Sequence, residues 1–299
     1  MSTSESIGID IGGTNIKAIR LAADGGVLAD AHRPTPMRRD ELIDALQQTL
    51  TELRSQGDEP LGVASPGLAE PENRSIRWMR GRLESVEGLH WSDALGRPAT
   101  VLNDAHAATL GEASAGAAAG KRHVVMLTLG TGVGGGVLVD GKLLQGASGR
   151  AGHLGHVCLD YHGEADIVGT PGSLEDLVGA HTLLAASQGR YAQMTELLAG
   201  CQANDPEAIG LWNRRVRALA AGLVSLINAF DPEVVVLGGG IPNAGAWLFD
   251  ELGRWMKAWE WRPLGESVPI VPAALGDRAG AIGAARFAVG HVETAGGVL

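Results

Sequence analysis

The residues of this chain best suited to chemistry fall in four short strings. The first is Asp10-Ile-Gly-Gly-Thr-Asn-Ile-Lys17. Gly12 and Gly13 at a hairpin tip let backbone N–H groups approach phosphate oxygens closely. Thr14 adds a hydroxyl donor, and Lys17 completes the candidate phosphate set. Asp10, at a strand end, could hold Mg²⁺ through water. An ordinary glycine hairpin explains this string alone equally well. The second string is Leu129-Gly-Thr-Gly-Val-Gly-Gly-Gly136. Its glycines match the G-x-G-x-x-G spacing of a dinucleotide fold, but that fingerprint must open a helix, and here a strand follows. A second phosphate hairpin, with Gly130, Thr131 and Gly132 at its tip, fits better. The third, Val234-Val-Val-Leu-Gly-Gly-Gly-Ile241, ends a buried strand in glycines. A flat ligand such as adenine could lie on Gly239 and Gly240, and a simple strand-to-helix turn fits as well. The fourth is Asn103-Asp104, read either as a helix N-cap or as a general base for a substrate hydroxyl. Spacing does not choose between these.

The elements that must hold these strings are those of an α/β protein. Residues 6–11 and 16–22 alternate around the first glycine tip as a hairpin, and residues 27–33 could add a strand. Residues 40–54 carry Leu42, Ile43, Leu46, Leu50 and Leu53 at helical spacing, with Asp40 as the expected N-cap. The theme recurs: an alanine-rich helix at 105–119, strands at 123–129 and 136–140, and a long helix at 206–230 with Pro206 in its first turn. A strand at 233–237, a helix at 244–259, a strand at 268–273 and a helix at 279–289 follow. Two phosphate hairpins about 120 residues apart predict two related α/β lobes with a cleft between them. The expected smaller lobe is 1–104 plus 278–299, and the larger is 105–277.

Together and in this order the four strings resemble the ROK family of repressors and sugar kinases. The likeness covers nearly the whole chain and takes in Ser65-Pro-Gly67, Gly111-Glu112 and Gly152-His-Leu-Gly-His156. It implies the two-lobed, actin-like (ribonuclease H-like) ATPase fold with a central cleft. It also implies ATP-dependent phosphorylation of a hexose hydroxyl, glucokinase-like, with ATP and Mg²⁺ as cofactors. Asp104 would be the catalytic base. Gly67, Asn103, His156 and Glu175 would be sugar ligands, and His153 stands where the family carries a sugar-binding glutamate. Asp104 would take the proton of a primary hydroxyl attacking the γ-phosphorus. The family's zinc-binding Cys-x-Cys-Gly-x-x-Gly-Cys is here Asp166-Ile-Val168-Gly169-Thr-Pro-Gly172-Ser173, so no structural zinc is expected. His153, His156, Cys158, His162 and Asp166 form a weaker list of ligands for another metal. Because of His153, a kinase of fructose or an N-acetylhexosamine, or a catalytically weak sugar-binding regulator, are the alternatives. Histidine in place of that glutamate also predicts sugar affinity that varies between pH ~5 and 8. Family repressors carry an N-terminal helix-turn-helix, for which the chain before Asp10 leaves no room.

Bulk properties agree. The chain is 45% apolar, only 4% aromatic, and carries 44 glycines, which suits α/β packing with tight turns. A net charge of −10 gives no support for nucleic-acid or membrane-surface binding, and the arginines Arg74, Arg77, Arg80 and Arg82 read as a solvated loop. Two cysteines and the absence of a signal-like or spanning segment predict a cytoplasmic protein. Cys158 is expected in the core. Trp247, Trp255, Trp259 and Trp261 are expected in packing or a subunit contact, and the chain is expected to be a homodimer.

Overall fold

The structure, a computed structural model, describes residues 4–81 and 83–295. The start of the expected leaderless terminus (1–3), Arg82 of the basic loop, and 296–299 of the expected smaller lobe lie outside the described residues. In chain order the strands are β1 (Ser6–Ile11), β2 (Asn15–Leu21), β3 (Val27–Pro34), β4 (Leu61–Ser65), β5 (Leu68–Ala69), β6 (Ile76–Trp78), β7 (Thr100–Asn103), β8 (Val124–Leu129), β9 (Val133–Val139), β10 (Lys142–Leu143), β11 (Val234–Gly238) and β12 (Ile270–Pro272). The helices are α1 (Arg39–Glu52), α2 (Trp91–Leu95), α3 (Asp104–Ala115), α4 (Leu174–Val178), α5 (Leu183–Ala186), α6 (Met194–Gln202), α7 (Pro206–Phe230), α8 (Ala246–Trp259) and α9 (Ala279–Ala295).

The chain divides into two compact units. Unit 1 is Met1–Arg122, Gly141–Gly152 and Ala274–Leu299, and unit 2 is His123–Asp140 and His153–Ala273. The sequence division assigned α3 from Ala105 onward to the second lobe, but α3 packs along α9 inside unit 1. The reason is steric. A Cβ on Gly283 would run into the Ala107 carbonyl, so the two helices meet backbone to backbone.

In unit 1 the sheet order is β3-β2-β1-β4-β7. The first three strands are an antiparallel meander, and β1, β4 and β7 run parallel. Ile7, Ile9, Ile11, Val63 and Val101 pack with Leu42 and Leu46 of α1 and with buried Trp91. On the other side α9 lies almost on the sheet backbone: a Cβ on Gly8 or Gly62 would meet the carbonyls of Ala281 or Ala284. The parallel strands all end at one edge, which carries Asp10, Ser65 and Asn103. Helix α1 starts at Arg39, so Asp40 sits in its first turn rather than capping it. A carboxylate there still favours the helix by facing its N-terminal dipole.

In unit 2, β9, β8, β11 and β12 lie side by side in that order. Helix α7 spans the expected residues, capped by the Asp205 side chain on the Glu207 N–H at 3.0 Å, with Pro206 in its first turn. Arg217 of α7 lies over the rings of Trp255 and Trp259 of α8, which places those tryptophans in packing. Cys158 is exposed and Cys201 is buried, the reverse of the expectation for Cys158.

Candidate active site

At the edge of the unit 1 sheet, β7 delivers Asn103 and Asp104 directly into α3. Asn103 is the N-cap: its Oδ1 accepts from the N–H groups of Ala105 (2.9 Å) and His106 (3.3 Å). Its Nδ2 donates to the Gly67 carbonyl at 3.0 Å. The cap therefore falls on Asn103, and Asp104 is the first helical residue, its Oδ1 accepting from the Ala105 N–H at 2.9 Å. Gly67 has φ +103° and sits where a Cβ would strike Trp78 O and the Ile76 side chain, so only glycine makes this turn. Burial lifts the Asp104 pKa, against hydrogen bonds from the Ala105 N–H, its own N–H and Asn103 that lower it.

Asp10 pairs in register with Lys17 across the first hairpin. Burial and the Asp104 charge push its pKa up to about 7, with Lys17 opposing and Asp277 adding to the rise. Two carboxylates that repel one another are a setting a divalent cation relieves. Gly280, in the first turn of α9, keeps space beside Asp10, since its Cβ would fall 2.5 Å from Oδ2. Carboxylate oxygens are the kind of donor Mg²⁺ takes, with water filling the remaining positions. Lys17 forms an ion pair with Asp277 at 3.3 Å. The tip holding Gly12, Gly13 and Thr14 is tied down by Thr35, whose N–H donates to Thr14 O (2.8 Å) and whose Oγ1 donates to Gly12 O (2.7 Å). Thr35, Asp277 and Gly280 lie far from the hairpin in sequence, and no local spacing announces them.

In unit 2 the hairpin tip at Gly130, Thr131 and Gly132 is held by the segment after α4. Ala180 N–H donates to Gly130 O and His181 N–H to Thr131 O, each at 2.9 Å. His181 Nδ1 also donates to Thr131 O at 2.9 Å, while its Nε2 faces Asp176 Oδ1 at 3.0 Å. Glu175 Oε2, of the residue expected to bind sugar, accepts from the Val133 N–H at 2.8 Å and so supports the β8–β9 hairpin. Buried Arg215 braces the same segment through the carbonyls of Val178 (3.0 Å) and Gly179 (2.9 Å). At the end of β11, Gly239 has φ +86° and faces the Leu129 carbonyl, and Gly240 borders open space.

His153 and His156 flank a short turn in unit 2. Burial, and after it the nearby His156, holds the His153 pKa down at about 4. A pKa that low favours the neutral ring from pH ~5 to 8, which argues against the pH-dependent sugar affinity expected from this side chain. His156 Nδ1 lies 2.8 Å from Asp166 Oδ2. Asp166 Oδ1 accepts from the Val168 (3.0 Å) and Thr170 (2.9 Å) N–H groups, and Ser173 Oγ caps α4 on Asp176 N–H. The oxygens at two of the three lost cysteine positions are thus already engaged. Among the described residues no group of three or more His, Cys, Asp or Glu is placed to hold a metal ion. This donor set does not fit tetrahedral zinc.

The profile of the ROK family matches residues 6–290. A glucokinase of Thermotoga maritima is 32% identical over 303 residues, covering 93% of this chain and 95% of its own. The crystal structure of a ROK hexokinase from Thermus thermophilus superposes with a TM-score of 0.82 at 32% identity, covering 98% of this chain and all of that one. A ROK family glucokinase from Streptomyces griseus, solved in complex with glucose and AMPPNP, gives a TM-score of 0.78 at 27% identity, covering 95% of this chain and 99% of that one.

Proposed function

The chain belongs to the ROK family, and we propose that it transfers the γ-phosphoryl group of ATP to a hydroxyl of a hexose, as a glucokinase-like enzyme of the actin-like ATPase fold. The observation that carries this reading is Asp104. It is a carboxylate of raised pKa, set at a helix start by the Asn103 cap and close enough to Asp10 to raise the pKa of that group too. Asp104 accepts the proton of the sugar hydroxyl as the oxygen attacks the γ-phosphorus, and ADP leaves on the opposite side. A raised pKa suits this work, because a general base is most effective when its pKa lies near the working pH.

In unit 1 the backbone of Gly12, Gly13 and Thr14 and the Lys17 ammonium are assigned to phosphate oxygens, and Gly67 and Asn103 to the sugar. Asn103 spends one amide hydrogen on Gly67 O, and its side chain also hydrogen-bonds Asp104. Asp10 would hold Mg²⁺, which when bound offsets phosphate charge. In unit 2 Gly130, Thr131 and Gly132 are assigned to phosphate, Gly239 and Gly240 to adenine, and His153, His156 and Glu175 to sugar hydroxyls. A cytoplasmic homodimer completes the reading. In support of the location, no helix among the described residues is long and apolar enough to cross a membrane. Sedimentation velocity decides the oligomeric state.

The deciding experiment measures ADP release over a panel of hexoses with ATP and Mg²⁺, for the wild type and Asp104→Asn. Turnover on at least one hexose is expected, with kcat falling ~10²–10⁴-fold in the variant while calorimetric sugar affinity changes far less. No turnover on any hexose would favour the sugar-binding regulator. Full activity in Asp104→Asn would reduce Asp104 to a helix residue.

A further inference from the structure

Residues 157–173 run between the His156 turn and α4 with almost no regular structure. Such a segment needs something at its centre to order it. Here that centre is one carboxylate. The Asp166 side chain is fully buried. It receives hydrogen bonds from the Val168 and Thr170 N–H groups and meets His156 Nδ1 at 2.8 Å. Around it Asp166 N–H donates to Thr170 O, Gly169 N–H to Asp166 O and Gly172 N–H to Glu164 O, closing the chain into a compact loop. Burial alone would raise the Asp166 pKa, but the hydrogen bonds from His156, Thr170, Val168 and Ser173 outweigh it and keep the group ionised.

An ionised carboxylate only accepts hydrogen bonds. The ring atom facing it, Nδ1 of His156, must therefore carry the proton. In the neutral ring this leaves Nε2 without one, as an acceptor. A bound metal can orient an imidazole and choose its tautomer, and a carboxylate on Nδ1–H does the same.

We propose that Asp166 is a positioning residue that takes over here the ordering role of a metal: it knits the 157–173 loop and locks His156 as the Nδ1–H tautomer, presenting Nε2 as the acceptor for a sugar hydroxyl. The last clause rests on the kinase reading. The loop and tautomer do not.

Asp166→Asn separates these roles. The introduced carbonyl still accepts from Val168 and Thr170, so the loop is kept. The introduced NH₂ group faces His156 Nδ1 and turns it into an acceptor, which moves the ring proton to Nε2. ¹⁵N NMR of the imidazoles at pH 8, with His156 identified by His156→Gln, should read Nδ1–H in the wild type and Nε2–H in Asp166→Asn. Sugar KM should rise ~10-fold, as a buried hydrogen bond turned donor-to-donor implies, with kcat changed less than about threefold and ATP KM unmoved. Chelator dialysis should leave the wild-type melting temperature unchanged. A wild-type ring protonated on Nε2, or one zinc per chain whose removal lowers the melting temperature, overturns the proposal even if the variant cannot be purified. An unshifted sugar KM in a variant whose tautomer has flipped removes the recognition role. If instead the wild type phosphorylates no hexose, the kinase reading fails while the tautomer and metal results still stand.

Discussion

At Asp10 two demands conflict. The proposed function asks for a carboxylate there to face a cation and phosphates, yet burial and Asp104 push its pKa from 3.8 up to about 7. The folded, ligand-free protein therefore holds a proton that the unfolded chain releases. Stability carries no penalty from this group below pH ~4, loses ground as pH rises from there to about 7, and stays reduced above. Asp10→Asn removes the penalty. In the absence of ligands it should stabilise the protein at pH 8 by up to ~4 kcal/mol and change little at pH 4, while turnover collapses. Urea denaturation at both pH values checks this, and equal or lower stability of the variant at pH 8 would refute it. The hairpins at Gly12 and at Gly130 were legible in the sequence because a glycine tip beside a strand end is a local pattern. Thr35, which acts on Gly12 from 23 residues away, and Asp277, which reaches Lys17 from α9's approach, were not. Asp166 was visible only as the residue at one lost cysteine position and as one name among possible metal ligands. Its actual role depends on two amides of its own loop, and sequence spacing does not reveal which way a loop turns.

The helix α9 explains why so much glycine and alanine is present. Its first turns, Ala279-Gly-Ala-Ile-Gly-Ala-Ala285, lie against Gly8, Gly62 and Gly111 with no side chain between the backbones. That contact sets the strand ends that carry Asp10 and Asn103. Gly62→Ala would force a methyl group into the Ala284 carbonyl. Overpacking of this kind costs ~1–3 kcal/mol and more where backbone is the obstacle. The variant should be destabilised by about 3 kcal/mol or should fail to accumulate as soluble protein, and unchanged denaturation midpoints would show that α9 sits further off the sheet. Long elements were readable because periodicity accumulates: α7 runs as expected from Pro206 to Phe230, and the strands around both glycine tips agree within a few residues. The short helices α2 and α4, and α6 with its nine residues, were not, since one or two turns give no periodic signal and are stabilised by packing and capping instead.

On the proposed function, proton and ligand binding are linked over the whole molecule through Asp10. Mg²⁺ held there with a nucleotide would need the ionised carboxylate, while burial and Asp104 raise its pKa to about 7 in the free protein, which favours the protonated form at pH 6. Binding must then expel that proton. At pH 8.5 the carboxylate is already ionised and there is nothing to expel. Titration calorimetry with Mg·ADP in two buffers of different ionisation enthalpy counts the protons directly. About one proton per chain is expected to leave at pH 6 and close to none at pH 8.5, with apparent affinity falling as pH drops through 7. Asp104 also has a raised pKa and could contribute, so the Asp10→Asn protein is the control: it should release about one proton fewer at pH 6. If the wild type releases none at pH 6, Asp10 is either ionised before the nucleotide arrives or untouched by it. The assignment of Asp10 to the metal and phosphates would then fall, while Asp104 as the base would remain to be judged on its own substitution.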